Sequence, residues 1–321
     1  MIKKKILIFK NDRVGDLYHC LNQLVKILDK RNENIIYLSN FNKNFSFLFK
    51  GLAKIKISNY RLSFIDKIKI FFDLLHNKYD YIFILSPKNF LFYLPLFFRK
   101  PIYFAIFIDE KKKIRPLNFI RNKFNFYVIN NRCSLKHKKS INNLNENLVN
   151  KFLEINSLSI EDNFIESKSN EKSDYIHVHY KKNLYKKHNW KIEDFFYLVD
   201  NLQSEKKICI TNDINETEDN KKIISKYKDN NKIKYFENIS GEELHNLIFH
   251  SDVVISPHGT MTVIAAYNNV NIIDLFDDNI SLISFKEYKL RPLNRNYNFL
   301  ILKDVKYKNL IISKINNYLN I

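Results

Sequence analysis

The chain alternates short apolar runs with longer stretches whose apolar positions recur every three or four residues. Continuous apolar runs bounded by polar residues read as buried parallel strands. In the first half these are Lys5 to Phe9, Asn34 to Leu38, Tyr79 to Leu85, a strand over 102–107 and one from Asn125 to Ile129, with a short strand at 54–57. Helical spacing fills the intervals. Leu17, Leu21, Leu24, Val25 and Leu28 make one apolar face of a helix over 17–31. Residues 61–77 predict another, with Leu62, Ile65, Ile68, Phe72 and Leu75 expected to be buried. A short apolar helix is expected near 89–98, and Leu144, Leu148 and Phe152 set a helical period within 134–155.

A second series begins at Tyr175. Strands are expected at Tyr175 to His179, Lys207 to Thr211, Ile233 to Phe236, Val253 to Ser256, Ile272 to Leu275 and Phe299 to Leu302. Helices are expected over 191–203, 216–229, 241–250, from Thr260 to about Asn268, and over 306–319. Ser240 and Glu243 have the S-x-x-E spacing of a capping box, a structural device. Strands and helices in this rhythm predict an α/β protein of two Rossmann-like, doubly wound domains. The polar, aperiodic stretch 156–173 is the linker, giving domains of 1–160 and 161–321. Packing of the terminal helix back on the first domain is left open. Two such halves imply a cleft between them, where ligands bind.

Composition narrows the class. At 321 residues and 45% hydrophobic, the chain can bury two cores and is not disordered. The net charge of +19 favours anionic partners, such as phosphorylated substrates or an anionic membrane surface. An Asn-, Lys- and Ile-rich composition with only 4 glycines equally suggests codon bias as the source of that charge. There is no aromatic-basic RNA motif or helix-turn-helix signal, so nucleic acid is not an expected partner. Cys20, Cys133 and Cys209 show no metal-ligand spacing and no D-x-D element occurs, so no metal site is expected and a reducing cytoplasm is. The apolar region 81–108 is interrupted by Pro87, Lys88, Pro95, Arg99, Lys100 and Pro101, so it does not read as a spanning helix.

The most informative stretch is SDVVISPHGTMTVIAAYNNVNIIDL, residues 251–275. It reads as strand, turn, helix, strand. Gly259 in the turn permits φ > 0 and close approach of a ligand to the backbone. The N–H groups opening the helix at Thr260 and Met261 suit a phosphate. An ordinary strand-to-helix turn accounts for the same residues.

Three stretches in order, KILIFKNDRVGDLYHCLNQLVKIL, IHVHYKKNLYKKHNWKIEDFFYLVDNL and ISGEELHNLIFHSDVVISPHGTMTVIAAYNNVNIIDLF, resemble the lipopolysaccharide heptosyltransferases, the family-nine glycosyltransferases. The R-x-G-D loop, the element before Trp190 and the S-x-x-E-L…D-x-V-(I/V)-S…A-A stretch carry the likeness, and weaker similarity continues through KYDYIFIL. The resemblance implies a GT-B fold with a nucleotide-sugar held mainly by the second half. It implies inverting transfer of a sugar, with ADP-heptose the leading donor and a lipopolysaccharide core or related lipid-linked glycan the acceptor. The donor is a substrate, so no cofactor is implied. The setting would be cytoplasmic, at the inner face of the membrane. A non-catalytic nucleotide- or glycan-binding relative is the alternative.

Residue roles follow from the same likeness. Asp16 stands at the general base, a carboxylate that takes the acceptor's hydroxyl proton. An N-cap for the helix over 17–31 is its structural alternative. Asp12 is the reserve base. Arg13 and Gly15 complete the loop, with Arg13 meeting a phosphate or forming an exposed salt bridge. The family's Lys two residues before the Trp is replaced by His188, with Lys187 one residue earlier; either would face the donor phosphates. The family's D-(S/T)-G turn becomes Pro257-His258-Gly259, and Val263 stands where a later His would fall. His258 is therefore a donor-side candidate or simply a buried histidine.

Overall fold

The computed structural model describes residues 3–108, 118–130, 141–156, 175–182, 190–213, 217–276, 297–301 and 308–319. The chain divides into two compact units, with the boundary next to Ile165.

The first unit is built on a six-stranded sheet of order β3-β2-β1-β4-β5-β6. Its strands are β1 (Lys5–Lys10), β2 (Glu33–Ser39), β3 (Lys54–Ser58), β4 (Tyr81–Ile84), β5 (Ile102–Ile108) and β6 (Phe126–Asn130). All its pairings are parallel. Ile6, Leu7, Ile8, Ile82, Phe83 and Ile84 are fully buried, as a sheet covered on both faces requires.

The helices are α1 (Val14–Tyr18), α2 (Leu21–Ile27), α3 (Phe64–His76), α4 (Asn89–Phe92), α5 (Leu94–Phe97), α6 (Asn118–Arg121) and α7 (Ile141–Ile155). The expected single helix over 17–31 is two short ones, starting at Val14, although its apolar face is buried as expected. The segment 89–98 likewise divides, with Pro95 in the first turn of α5. A 3₁₀ helix over Asn40–Phe49 has no counterpart in the sequence reading.

Helix α3 departs most. It starts where Ser63 and Asp66 form a capping box. The face expected inside is outside: Ile65, Ile68, Phe72 and Leu75 are exposed, and Ile70 and Leu74 are buried instead. The cause is polar. Asp66 bonds Ser63 and Asn59, while Asp73 accepts from Tyr37 Oη at 2.8 Å and pairs with Lys56 at 2.6 Å. These two carboxylates fix the helix rotation, and the apolar stripe turns outward.

The second unit repeats the plan, with order β12-β11-β10-β7-β8-β9. The strands are β7 (Tyr175–Tyr180), β8 (Lys207–Asn212), β9 (Ile233–Tyr235), β10 (Ser251–Pro257), β11 (Asn271–Phe276) and β12 (Tyr297–Ile301), all paired in parallel. Counted from β7, this is the same 3-2-1-4-5-6 order as the first sheet. The helices are α8 (Ile192–Asp200), α9 (Thr217–Tyr227), α10 (Gly241–Phe249), α11 (Thr260–Tyr267) and α12 (Lys308–Leu319). Ser240 caps α10 through the expected box with Glu243. Helix α12 buries Ile311, Ile312 and Ile315 in this unit's own core with Leu198 and Ile273. These three side chains of α12 thus belong to the second unit's core. Most of the expected linker, residues 157–173, lies outside the described residues.

Candidate functional sites at the two switch points

In a doubly wound sheet the strand order reverses at one point, and loops leaving the carboxyl ends of the two strands there form the binding crevice. In the first unit those strands are β1 and β4; in the second they are β7 and β10. The candidate residues from the sequence follow β1, β7 and β10.

After β1 the chain turns at once. Lys10 is 1% exposed, and its Nζ lies 2.8 Å from Asp12 Oδ2. A buried ammonium requires such a partner. Burial opposes the charge on Lys10, but the Asp12 carboxylate outweighs that and holds it above its usual range. Burial likewise works against the Asp12 charge, yet the Lys10 ammonium keeps that carboxyl below its usual range. The Asp12 carbonyl accepts bonds from Ser39 Oγ and from Asn42 Nδ2, the latter at 3.1 Å. Asp12 is thus a fixed structural anion. Asn11 beside it is fully buried, and neither of its side-chain polar atoms is bonded among the described residues.

Helix α1 then opens with Arg13 in the N-cap position and no side-chain cap bond. Asp16 lies inside the first turn of α1, so it is not the N-cap that the sequence allowed. Its carboxylate stands near the positive end of the helix, where negative charge is favoured. It is half-buried and makes no hydrogen bond or ion pair among the described residues. Gly15 is helical, its carbonyl accepting from the His19 N–H at 3.1 Å.

Two cations converge beside this loop. The Arg13 guanidinium lies 5.8 Å from the Tyr60 ring centre, and Lys88 Nζ lies 4.3 Å from the same ring. Lys88 follows β4, so the pair comes from both sides of the switch point. Burial lowers the Lys88 ammonium below its usual range, Asp12 opposing.

In the second unit, β10 runs into the turn at Pro257 and α11 opens at Thr260. Gly259 has φ 161° and ψ −144°, which is extended backbone. A Cβ there would meet nothing nearer than the Pro257 carbonyl oxygen at 3.9 Å. Gly259 is therefore required neither by a left-handed turn nor by crowding within the chain. The Thr262 hydroxyl accepts from the Gly259 N–H at 3.2 Å and donates to its carbonyl at 2.8 Å. The N–H groups of Thr260 and Met261 have no intrahelical acceptor and point out of the helix start. The helix ends conventionally, with Asn269 at φ 54° just beyond it.

His258 sits between β10 and this helix. Its Nδ1 lies 2.7 Å from Asp274 Oδ2, and its ring stacks on Phe276 with centroids 4.5 Å apart. Tyr297 Oη donates to the same Asp274 oxygen at 2.7 Å. Asp274, on β11, is fully buried, and burial pushes its carboxyl above the usual range against those two bonds. The His258 side chain is 33% exposed, so it is not the buried histidine of the alternative.

A second polar cluster closes the end of β7 and β8. His177 Nε2 and His179 Nδ1 lie 2.7 and 2.9 Å from Thr211 Oγ1, and His179 Nε2 lies 3.4 Å from Asp213. Burial drives His177 down to about 3, so it is neutral. Lys187 and His188 lie outside the described residues.

Asp274, Tyr297, Lys88, Tyr60 and the His177–His179 pair were not identified from sequence. Each is brought in by strand order, which no local spacing announces. Among the described residues no cluster of three or more His, Cys, Asp or Glu is placed to hold a metal ion.

No protein-family model and no curated sequence matches the chain. Solved structures do match in fold. The Escherichia coli heptosyltransferase WaaC with ADP aligns over 98% of this chain and 99% of its own, with a TM-score of 0.68 and 12% identity. A family-nine glycosyltransferase from Veillonella parvula aligns over 99% and 93%, with a TM-score of 0.65 and 13% identity. A UDP-GlcNAc 2-epimerase from Methanocaldococcus jannaschii follows at 0.52 and 16% identity, over 100% and 92%. The chain thus has the α/β fold of the GT-B glycosyltransferases, two Rossmann-like units in one chain.

Proposed function

We propose that the chain is a glycosyltransferase that moves a heptose-like sugar from a nucleoside-diphosphate donor to a lipopolysaccharide core or related lipid-linked glycan, with inversion. The observation that carries this reading is the contrast at the first switch point. Asp12 is locked to Lys10, whereas Asp16 is half-buried and makes no hydrogen bond or ion pair among the described residues, its charge acting on Lys10 and Lys88 only through space. In this reading the acceptor hydroxyl oxygen attacks the anomeric carbon and its proton passes to the Asp16 carboxylate. The bond from that carbon to the diphosphate breaks, and the nucleoside diphosphate leaves with the electron pair. The Thr260 and Met261 N–H groups, His258 held by Asp274, and Lys187 or His188 bear the leaving charge. Arg13 and Lys88 meet an anionic group of the acceptor.

The reading includes no metal step and no cofactor, and a cytoplasmic enzyme working at the inner membrane face. Among the described residues no helix is long and apolar enough to cross a membrane.

The experiment is a donor screen followed by transfer. ADP-heptose and UDP-sugars are scored for a rise in melting temperature, and the stabilising donor is incubated with a deep-rough lipopolysaccharide acceptor. A glycosylated product of inverted anomeric configuration is expected. A retained configuration removes the base role, and a hydrolysed or epimerised donor removes the transferase. The second reading, a non-catalytic nucleotide-binding relative, is favoured by the His258 turn that replaces the acidic one. It predicts nucleotide stabilisation with no transfer to any acceptor.

A further inference from the structure

The outward face of α3 carries five exposed large apolar side chains. Phe64, Ile65, Ile68, Phe72 and Leu75 are 76, 62, 39, 54 and 54% exposed. At 100° per residue these five positions fall within one arc of roughly 100° along the helix. The stripe continues onto α5, because Phe71 packs at 5.8 Å on Phe97, itself 66% exposed, and at 5.1 Å on Phe98. A contiguous exposed apolar surface of this kind marks an interaction site.

The charges around it are mainly positive. On the helical wheel Lys67 and Lys69 flank the apolar arc on opposite sides. The only two acids of the helix, Asp66 and Asp73, are held inward by Ser63, Asn59, Tyr37 and Lys56. At the far end of α3 a groove of about 600 Å³ is lined by Lys4, Lys78, Arg99 and Lys100 alongside Phe97 and Phe98, with one acid, Asp80, 3.8 Å from Lys4. The stripe is thus bordered by cations along the helix and at its end.

We infer that this face docks on an anionic lipid bilayer, with the aromatic and aliphatic stripe entering the headgroup–acyl boundary and the bordering lysines and arginines meeting lipid phosphates. A helix with Phe and Leu on one face and Lys beside it lies in that plane. Anionic lipid attracts such a basic border. The net charge of +19 adds to that attraction and opposes pairing of the same cationic border with itself in a second copy. The inference does not depend on the glycosyltransferase reading, since it concerns a surface and is read without catalysis.

The test is flotation of the full chain with vesicles of phosphatidylcholine mixed with phosphatidylglycerol, against phosphatidylcholine alone. The protein is expected to float with the anionic vesicles and to remain largely unbound with the neutral ones. The double variant Phe64→Ser/Phe72→Ser is expected to lower partitioning at least about tenfold, and Lys69→Glu several-fold, with an unchanged melting temperature because all three side chains are exposed. Phe97→Ser, on a separate helix, provides an independent variant. Flotation of the double variant equal to the parent would show charge adsorption alone and overturn the proposal. A self-associated species that the same double variant dissolves, with lipid binding unchanged, would assign the face to a second copy. Binding to polyglutamate that falls as steeply as vesicle binding would assign it to an acidic protein; either result overturns the bilayer.

Discussion

His258 and Asp274 are joined by a 2.7 Å contact from Nδ1 to Oδ2, made across neighbouring parallel strands at the turn between β10 and α11. The buried carboxylate orients the ring, and with Nδ1 turned to Asp274 the other ring nitrogen, Nε2, is set opposite it. The turn, which has no acidic residue of its own in sequence, is thus given an acid–imidazole pair in space. Asp274→Asn retains an acceptor for Nδ1 but removes the charge. Donor affinity is expected to fall about 10- to 150-fold, the 1.5–3 kcal/mol of a hydrogen bond to a charged group. Isothermal titration with the nucleotide-sugar measures it. Equal affinity in a folded variant would leave the pair with a packing role only.

Gly259 tests the backbone cradle more cleanly than its sequence context suggested. Its conformation is extended and a Cβ has 3.9 Å of clearance, so Gly259→Ala should fold normally, and the melting temperature of Gly259→Val reports whether its branched side chain is accommodated as well. If the donor diphosphate approaches this backbone, the added bulk weakens nucleotide binding by at least about 1.4 kcal/mol, tenfold in Kd. A folded variant with parental nucleotide affinity would place the diphosphate elsewhere.

The sheets were legible because parallel strands buried on both faces leave uninterrupted apolar runs, as at Ile6 to Phe9 and Ile82 to Ile84. The alternation of those runs with helical spacing predicted the doubly wound class. Amphipathicity misled at α3, since Ile68 and Phe72 share a stripe whichever way it faces. What decided its direction was Asp73 reaching Tyr37 and Lys56 on other elements. The Asp16 loop was located by motif, but its helix starts earlier than the apolar spacing suggested. Val14 and Gly15 carry no periodic signal, so the first turn reads as loop in the sequence. Asp274 and Tyr297 were invisible as site residues because β11 and β12 bring them to His258 across 16 and 39 positions of sequence.

Acid should destabilise the second unit before its carboxylates titrate. His177 is held near 3 and His245 near 4 by burial, against an ordinary value of 6.5. The folded state therefore binds fewer protons than the unfolded chain below about pH 6.5. Stability falls as pH drops through that window, by up to ~1.4 kcal/mol per pH unit for each group. His177→Gln keeps a polar partner for Thr211 without the titration. Its melting temperature between pH 6.5 and 5 should depend less steeply on pH than the parent's. An identical slope would show that His177 is charged or exposed in solution.

Asp16 as the catalytic base yields the most decisive comparison. Because Arg13 holds the N-cap position, Asp16→Asn removes no cap. It costs the helix-end charge, about 0.3–1 kcal/mol of stability, and the attraction of that charge to Lys10 and Lys88. A base role predicts a fall on the order of 10²–10⁴ in turnover with donor affinity nearly kept. Asp12→Asn should behave oppositely, because it strips the partner from Lys10, which is 1% exposed. A loss of about 3–5 kcal/mol is expected there, read as a lowered melting temperature. Turnover, donor affinity and melting temperature of both variants, measured on the true acceptor, separate the roles. Near-normal turnover in Asp16→Asn would remove the base from α1. A stable, inactive Asp12→Asn would move it to Asp12.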